Sequence, residues 1–156
     1  KRWTHLPQFY LGVAFGWGIP MAFAAQTGAV PPLAWVLFLA NVCWSVAYDT
    51  AYAMVDREDD LKVGVKSTAI LFGSYDRLLI GVFHGLTITF LAIAGDLAGR
   101  GMLYYVGLGV ATGLAGYQQA LIHERVPAGC FKAFLNNNWF GAAVFAGLAL
   151  SYAMEG

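Results

Sequence analysis

Leu33-Ala34-Trp35-Val36-Leu37-Phe38-Leu39-Ala40-Asn41-Val42-Cys43-Trp44-Ser45-Val46-Ala47-Tyr48-Asp49-Thr50-Ala51-Tyr52-Ala53-Met54 decides the fold. The stretch is apolar along nearly its whole length and holds one charged residue, Asp49, close to its end. A helix needs about 20 mostly apolar residues to cross a bilayer, and this stretch supplies them. Working backward, no Asp, Glu, Lys or Arg occurs from Trp3 to Tyr48. That run is long enough for two spans, and Gln26-Thr27-Gly28-Ala29-Val30-Pro31-Pro32 punctuates it like a loop. Working forward, three more charge-free runs follow at 78–95, 101–122 and 133–154. The spacing therefore predicts helices near 9–25, 33–54, 78–95, 101–122 and 133–154, with Pro20 kinking the first. The fold class expected is all-α: a polytopic transmembrane helix bundle of about five spanning helices.

Composition agrees with this class. Hydrophobic residues make up 59% of the 156, and charged residues 12% against about 25% in an ordinary soluble domain. Disorder is excluded, because it needs low hydrophobicity and high charge. A nucleic-acid binder of the basic kind is excluded by nine Lys and Arg balancing nine Asp and Glu. Cys43 and Cys130 have neither metal-ligand spacing nor a disulfide framework around them. The many glycines suit close packing of membrane helices. Lys1-Arg2-Trp3 is no signal peptide, so residues 1–156 are expected to form one membrane-embedded domain, incomplete at its N-terminus. Lys1, Arg2, Arg57, Lys62, Lys66, Arg77, Arg125 and Lys132 would share one side of the membrane, leaving Arg100 on the other. By the positive-inside rule the 55–77 loop is then a cytoplasmic cap, and the C-terminus faces away.

The acidic residues are concentrated. Five of the nine fall within 49–60, as Asp49, Asp56, Glu58, Asp59 and Asp60. On one continuous helix Asp56 and Asp60 would each lie about 20° from Asp49, spread along roughly 16 Å of axis. Such carboxylates repel one another unless a cation joins them. An ionisable group at the end of a membrane helix marks a functional site by default. Mg²⁺ takes oxygen ligands and keeps waters or phosphate oxygens in its shell. Lys62, Lys66 and Arg77 follow at once, and metal with lysine suits a diphosphate. Tyr48 and Tyr52 flank Asp49, placed to bond a phosphate or to face a developing carbocation. Lys66-Ser67-Thr68 leads into Ala69-Ile70-Leu71-Phe72-Gly73, a short amphipathic segment with a terminal glycine, placed to lid the site. Asn136-Asn137-Asn138-Trp139 is expected either to open the last helix as a cap beside an interfacial Trp or to line a cavity. His84 suits packing, and Gln118 and Gln119 suit polar links between helices. The same residues leave a second class open: a cation-coupled half-transporter using the Asp49, Asp56 and Asp60 face.

At this point three stretches become familiar together. Tyr48-Asp49-x-x-Tyr52-Ala53-x-x-Asp56-x-x-x-Asp60 resembles the second aspartate-rich motif of the UbiA superfamily of intramembrane prenyltransferases. Lys1-Arg2-Trp3-Thr4-His5-Leu6-Pro7-Gln8 resembles the stretch before that family's fifth helix, and Lys66 to Gly73 the segment after its second motif. The wording is most similar to the bacterial members that prenylate 4-hydroxybenzoate. The resemblance implies the C-terminal part, helices five to nine, of a nine-helix fold around a cavity open to lipid. It implies Mg²⁺ as cofactor, polyprenyl diphosphate and 4-hydroxybenzoate as substrates, ubiquinone biosynthesis as the setting, and the bacterial inner membrane as the location, with the active site toward the cytoplasm. Asp49, Asp56 and Asp60 would be the catalytic and metal-binding carboxylates. Lys1, Tyr48, Tyr52, Lys62 and Lys66 would bind substrate. The family's first aspartate-rich motif is absent from these residues, so the chain alone is expected to be inactive and to need N-terminal helices as partners. A different aromatic acceptor, such as homogentisate, a naphthoate or a porphyrin, is the nearest alternative.

Overall fold

The computed structural model describes residues 4–155 and, among them, is helical with no strand. Its elements are α1 (Pro7–Gly16), α2 (Gly18–Thr27), α3 (Pro32–Val55), α4 (Arg57–Lys62), α5 (Thr68–Phe72), α6 (Asp76–Leu97), α7 (Met102–Leu121) and α8 (Pro127–Glu155). A single 3₁₀ turn, Gly73–Tyr75, joins α5 to α6. Prolines open three of the long elements, at Pro7, Pro32 and Pro127. A proline costs a helix little at its first position, where the missing N–H has no partner anyway.

The first expected span is divided. Pro20 has no N–H to give the carbonyl of Gly16, and the helix breaks at Trp17, one turn upstream. Gly28, at φ 72°, then ends α2 in the left-handed conformation that an L side chain resists. The last span differs more. It begins at Pro127, not near 133, so Asn136, Asn137 and Asn138 lie inside α8 and cap nothing. The amides of Asn136 and Asn137 meet neighbours instead: Asn137 Nδ2 donates to the Ala133 carbonyl at 3.2 Å, and Gln118 Nε2 donates to Asn136 Oδ1 at 3.1 Å. The second contact is the polar link expected of Gln118. His84 is buried and stacks on Phe140 with ring centres 5.9 Å apart, as a packing residue would.

Helix α3 is the hub, packed against α1, α6 and α8, while α7 pairs with α8 and closes on α6. The core is built from small side chains: Ala47, Ala51, Ala53, Ala69 and Ala133 pack with Met54, Ile80, Ile122 and Cys130. Small residues let helices approach, and membrane helices, lacking a hydrophobic drive toward each other, depend on that approach. A close approach between two long helices is Gly107 against Gly147. A Cβ added to Gly107 would lie 2.8 Å from the Ala143 carbonyl oxygen and 2.8 Å from Gly147 Cα. Large apolar groups meanwhile face outward, among them Phe15, Trp17, Leu78, Val110, Phe145 and Trp139. An apolar exterior over a small-residue interior is the arrangement a lipid solvent selects. By length and composition, α3 and the stretch Thr68–Leu97 are apolar enough to cross a membrane.

Candidate functional site

The end of α3 presents its residues in two directions. Tyr48 and Tyr52 turn toward α8. Tyr48 meets Trp44 and Phe134 at ring separations of 5.6 and 6.0 Å, and Tyr52 meets Phe134 at 5.0 Å. Tyr48 also lines a cavity of about 280 Å³ with Trp44, Phe134, Leu135, Asn137 and Asn138. A second cavity, about 330 Å³ and almost wholly apolar, lies beyond Trp44 between α2, α3, α6 and α8, lined by Ile19, Leu37, Thr87, Phe140 and Leu148 among others. Trp44 borders both cavities and is held by its indole N–H, which donates to Asn137 Oδ1 at 3.0 Å.

The carboxylates do not lie on one helix. Helix α3 ends at Val55, Asp56 takes φ −94°, ψ 3°, and α4 restarts at Arg57. The 20° alignment expected of Asp49, Asp56 and Asp60 assumed a continuous helix, so the break replaces it with two separate elements. Asp56 and Asp60 remain one turn apart, tied by the Asp60 N–H donating to the Asp56 carbonyl at 2.8 Å. Asp49 is half-buried on α3. Among the described residues no three His, Cys, Asp or Glu side chains come close enough to hold a metal ion by themselves. One observation does fit a cation: Asp60 Oδ2 is buried with no hydrogen-bond partner among the described residues. A buried anionic oxygen without a donor is costly, and a hard cation with its own water or phosphate oxygens would satisfy it.

Beyond the carboxylates the chain folds back as expected. Ser67, in extended conformation, caps α5 by accepting from the Ile70 N–H at 3.4 Å, and Gly73, at φ 53°, ends it. This places Lys66, half-buried, immediately before a helix start. Lys62 is exposed and pairs with Asp59 at 2.9 Å, a hydrogen bond that raises its pKa above the usual lysine value. Lys1 lies outside the described residues.

Three residues that sequence reasoning did not single out join the three familiar stretches in space. The Thr68 N–H donates to Gln8 Oε1 at 3.0 Å, and the Thr68 and Thr50 hydroxyls share a hydrogen bond of 2.7 Å. All three residues are buried. Gln8 belongs to the first stretch, Thr50 to the aspartate-rich one, and Thr68 to the segment that follows it. Sequence spacing could not show that they meet, although each sits inside a stretch that was recognised.

A second knot was also missed. Asp76 is fully buried at the head of α6 and bonds two guanidiniums. Arg57 donates through Nη2 to Asp76 and to the Ala69 carbonyl, the latter at 2.7 Å. Arg125, in the α7–α8 turn, donates from Nε to both Asp76 oxygens at 3.0 and 3.1 Å, and from Nη2 to Asp76 at 2.9 Å and to the Ser74 carbonyl at 2.8 Å. Both arginines had been counted only as loop charges.

Comparison with known proteins agrees with the geometry. The family model described as the UbiA prenyltransferase family matches residues 1–144. The chain is 60% identical over all 156 residues to the 4-hydroxybenzoate octaprenyltransferase of Methylococcus capsulatus, and 59% identical over 156 to that of Alkalilimnicola ehrlichii. It is 60% identical over 152 residues, 97% of its length, to the 4-hydroxybenzoate octaprenyltransferase of Nitrosococcus oceani. In each case it covers 53% of the relative, so the chain spans about half the length of the curated proteins it matches. No solved structure matches it. With three motif stretches meeting at one buried knot, and a family match over nearly the whole chain, these residues belong to the UbiA prenyltransferase family.

Proposed function

We propose that this chain carries the second aspartate-rich half of a Mg²⁺-dependent site that transfers a polyprenyl group to 4-hydroxybenzoate, in ubiquinone biosynthesis. The observation that carries the proposal is the convergence of Gln8, Thr50 and Thr68, which seats the lysine-bearing segment against the carboxylate-bearing end of α3. The names of the relatives supply the acceptor. Family membership leaves the half-transporter reading without support.

Asp56 and Asp60, with Asp49 as a third carboxylate, would hold Mg²⁺, which supplies positive charge to the departing diphosphate. Lys66 and Lys62 add charge from the segment beyond. Tyr48 and Tyr52 line the approach, their ring faces suited to a developing allylic cation. The apolar cavity beyond Trp44 suits a hydrocarbon tail and keeps water from that cation. The allylic C–O bond breaks and releases diphosphate. The ring carbon ortho to the phenol forms the new C–C bond, and a base takes the displaced ring proton. Asp49 is placed either to complete the metal shell or to polarise the phenol. Lys1 would contact the diphosphate or the acceptor carboxylate. The site would face the cytoplasm from the bacterial inner membrane, on the side where Lys and Arg gather.

The test is prenyl transfer by the full-length gene product. Asp56→Asn and Asp60→Asn should each cut turnover by about 10²-fold or more, the scale of losing one charge-stabilising group. Near-wild-type rates at saturating Mg²⁺ would refute the roles. The 156 residues alone should show no turnover, because among the described residues no three His, Cys, Asp or Glu side chains come together as a metal site. A panel of aromatic acceptors tests the acceptor: a preference for homogentisate or a naphthoate would overturn the assignment.

A further inference from the structure

We propose that Asp76 is a positioning residue for the diphosphate end of the site, acting through Arg57 and Arg125; this rests on the prenyl-transfer reading above. Asp76 touches none of the candidate ligands. Its importance comes from what it ties together. Arg57 is the first residue of α4 and follows Asp56 directly, so fixing its guanidinium fixes the start of the helix that carries Asp60. The same Nη2 reaches the Ala69 carbonyl on α5, two residues beyond Ser67. Arg57 therefore holds the carboxylate helix and the lysine-bearing segment in one relation, and Asp76 holds Arg57. Arg125 brings in the third connection. It sits at φ 54°, a left-handed conformation that a non-glycine residue adopts only at a cost. In that conformation its guanidinium bonds Asp76 and the Ser74 carbonyl. One carboxylate thus joins the α3–α4, α5–α6 and α7–α8 connections.

A knot that only stabilised the bundle would not need to sit here. Asp76 opens α6, and its arginine contacts bracket the run from Asp60 to Lys66, with Arg57 before it and the Ala69 and Ser74 carbonyls after it. Loss of the Asp76 charge releases both guanidiniums from a buried partner. The start of α4 and the backbone before Thr68 then keep only the Thr50–Thr68 and Gln8–Thr68 ties, and Asp56, Asp60 and Lys66 no longer converge on one diphosphate. The tail cavity and the Tyr48 cavity are lined by none of Arg57, Asp76 and Arg125 and are unaffected.

The experiment uses Asp76→Asn and Arg125→Gln in the full-length gene product. Asp76→Asn should raise the KM for polyprenyl diphosphate and the half-saturating Mg²⁺ by tenfold or more. The KM for 4-hydroxybenzoate should stay within twofold. Arg125→Gln, which leaves the Arg57 contact intact, should shift the same two quantities about threefold. A second readout needs no turnover: Mg²⁺ with inorganic pyrophosphate should slow tryptic cleavage after Lys62 and Lys66 in the wild type, and not in Asp76→Asn. If Asp76→Asn does not fold, Arg125→Gln decides both readouts. A lower folded yield with both KM values and the protection unchanged would show a merely structural residue and overturn the proposal. Absence of Mg²⁺-dependent transfer in the wild type would instead overturn the prenyl-transfer reading, and the positioning role with it.

Discussion

The hydroxyl pair Thr50–Thr68 offers a test of whether the motif stretches are held together as described. Both residues are fully buried and their oxygens are 2.7 Å apart. Thr→Val preserves shape and removes the hydroxyl, so each single variant strands a buried polar group. Stranding such a group costs about 1–3 kcal/mol, whereas replacing both partners by apolar groups of the same shape is close to neutral. The two singles should differ. A threonine inside a helix can turn its hydroxyl back to the carbonyl four residues earlier, as Thr87, Thr89 and Thr112 all do here at 2.8 Å. Thr50 lies inside α3 and has that escape; Thr68 stands at the start of α5 and has no helical carbonyl behind it. Thr68→Val should therefore cost about 1 kcal/mol, and Thr50→Val, which leaves Thr68 stranded, nearer 2–3 kcal/mol. The double variant should cost no more than the milder single. The assay is denaturant titration in mild detergent on all four proteins. Independent sites add within about 0.3–0.5 kcal/mol, so additivity within that margin would refute the shared hydrogen bond as the link.

Two further outcomes follow from the packing. Gly107→Val should force α7 and α8 apart and lower stability by about 1–3 kcal/mol, the range for overpacking; Gly109→Ala, with open space at its Cβ, should be tolerated in the same denaturant titration. Trp44→Phe removes the donor to the buried Asn137 oxygen, at a cost of about 1–3 kcal/mol, and merges the two cavities that Trp44 separates. Its signature is reduced discrimination among prenyl chain lengths, and an unchanged chain-length profile would count against the cavity assignment.

The fold was legible where one physical rule governed. Apolar runs bounded by charge located α3, α6 and α7 to within two residues, because a lipid solvent tolerates little else over that length. One boundary, the start of α8, was misplaced for two reasons. Lys132 read as the edge of a span, yet it is exposed on α8, where a long side chain reaches past apolar surface to water. The Asn136–Asn138 run read as a cap because these side chains compete for backbone partners. The structure satisfies Asn136 and Asn137 from Gln118, Trp44 and their own helix, and those partners are set by how α3 and α7 pack on α8. The break at Asp56 was equally hidden, since nothing in Met54-Val55-Asp56-Arg57 disfavours helix.

The site was half legible, and the division has a cause. Groups that are expensive in an apolar setting stand out by type alone, so Asp49, Asp56, Asp60 and the lysines could be named without knowing their neighbours. Groups whose value lies in a distant partner could not. Arg57 and Arg125 look like topogenic charge because loop cations ordinarily are, and Asp76 looks like a loop acid. Their pairing takes two of these loop cations out of reach of an anionic substrate. Arg57 and Arg125 are committed to Asp76 and to backbone carbonyls, and Lys62 is shared with Asp59. Under the proposed function, Lys66, with no ion pair among the described residues and fixed beside a helix cap, would be the lysine best placed to meet a diphosphate. A loop charge that orients the chain in the membrane and a charge that binds substrate are the same residue types. What separates them is whether folding has already assigned the charge a partner, and that is decided by packing between helices far apart in the sequence.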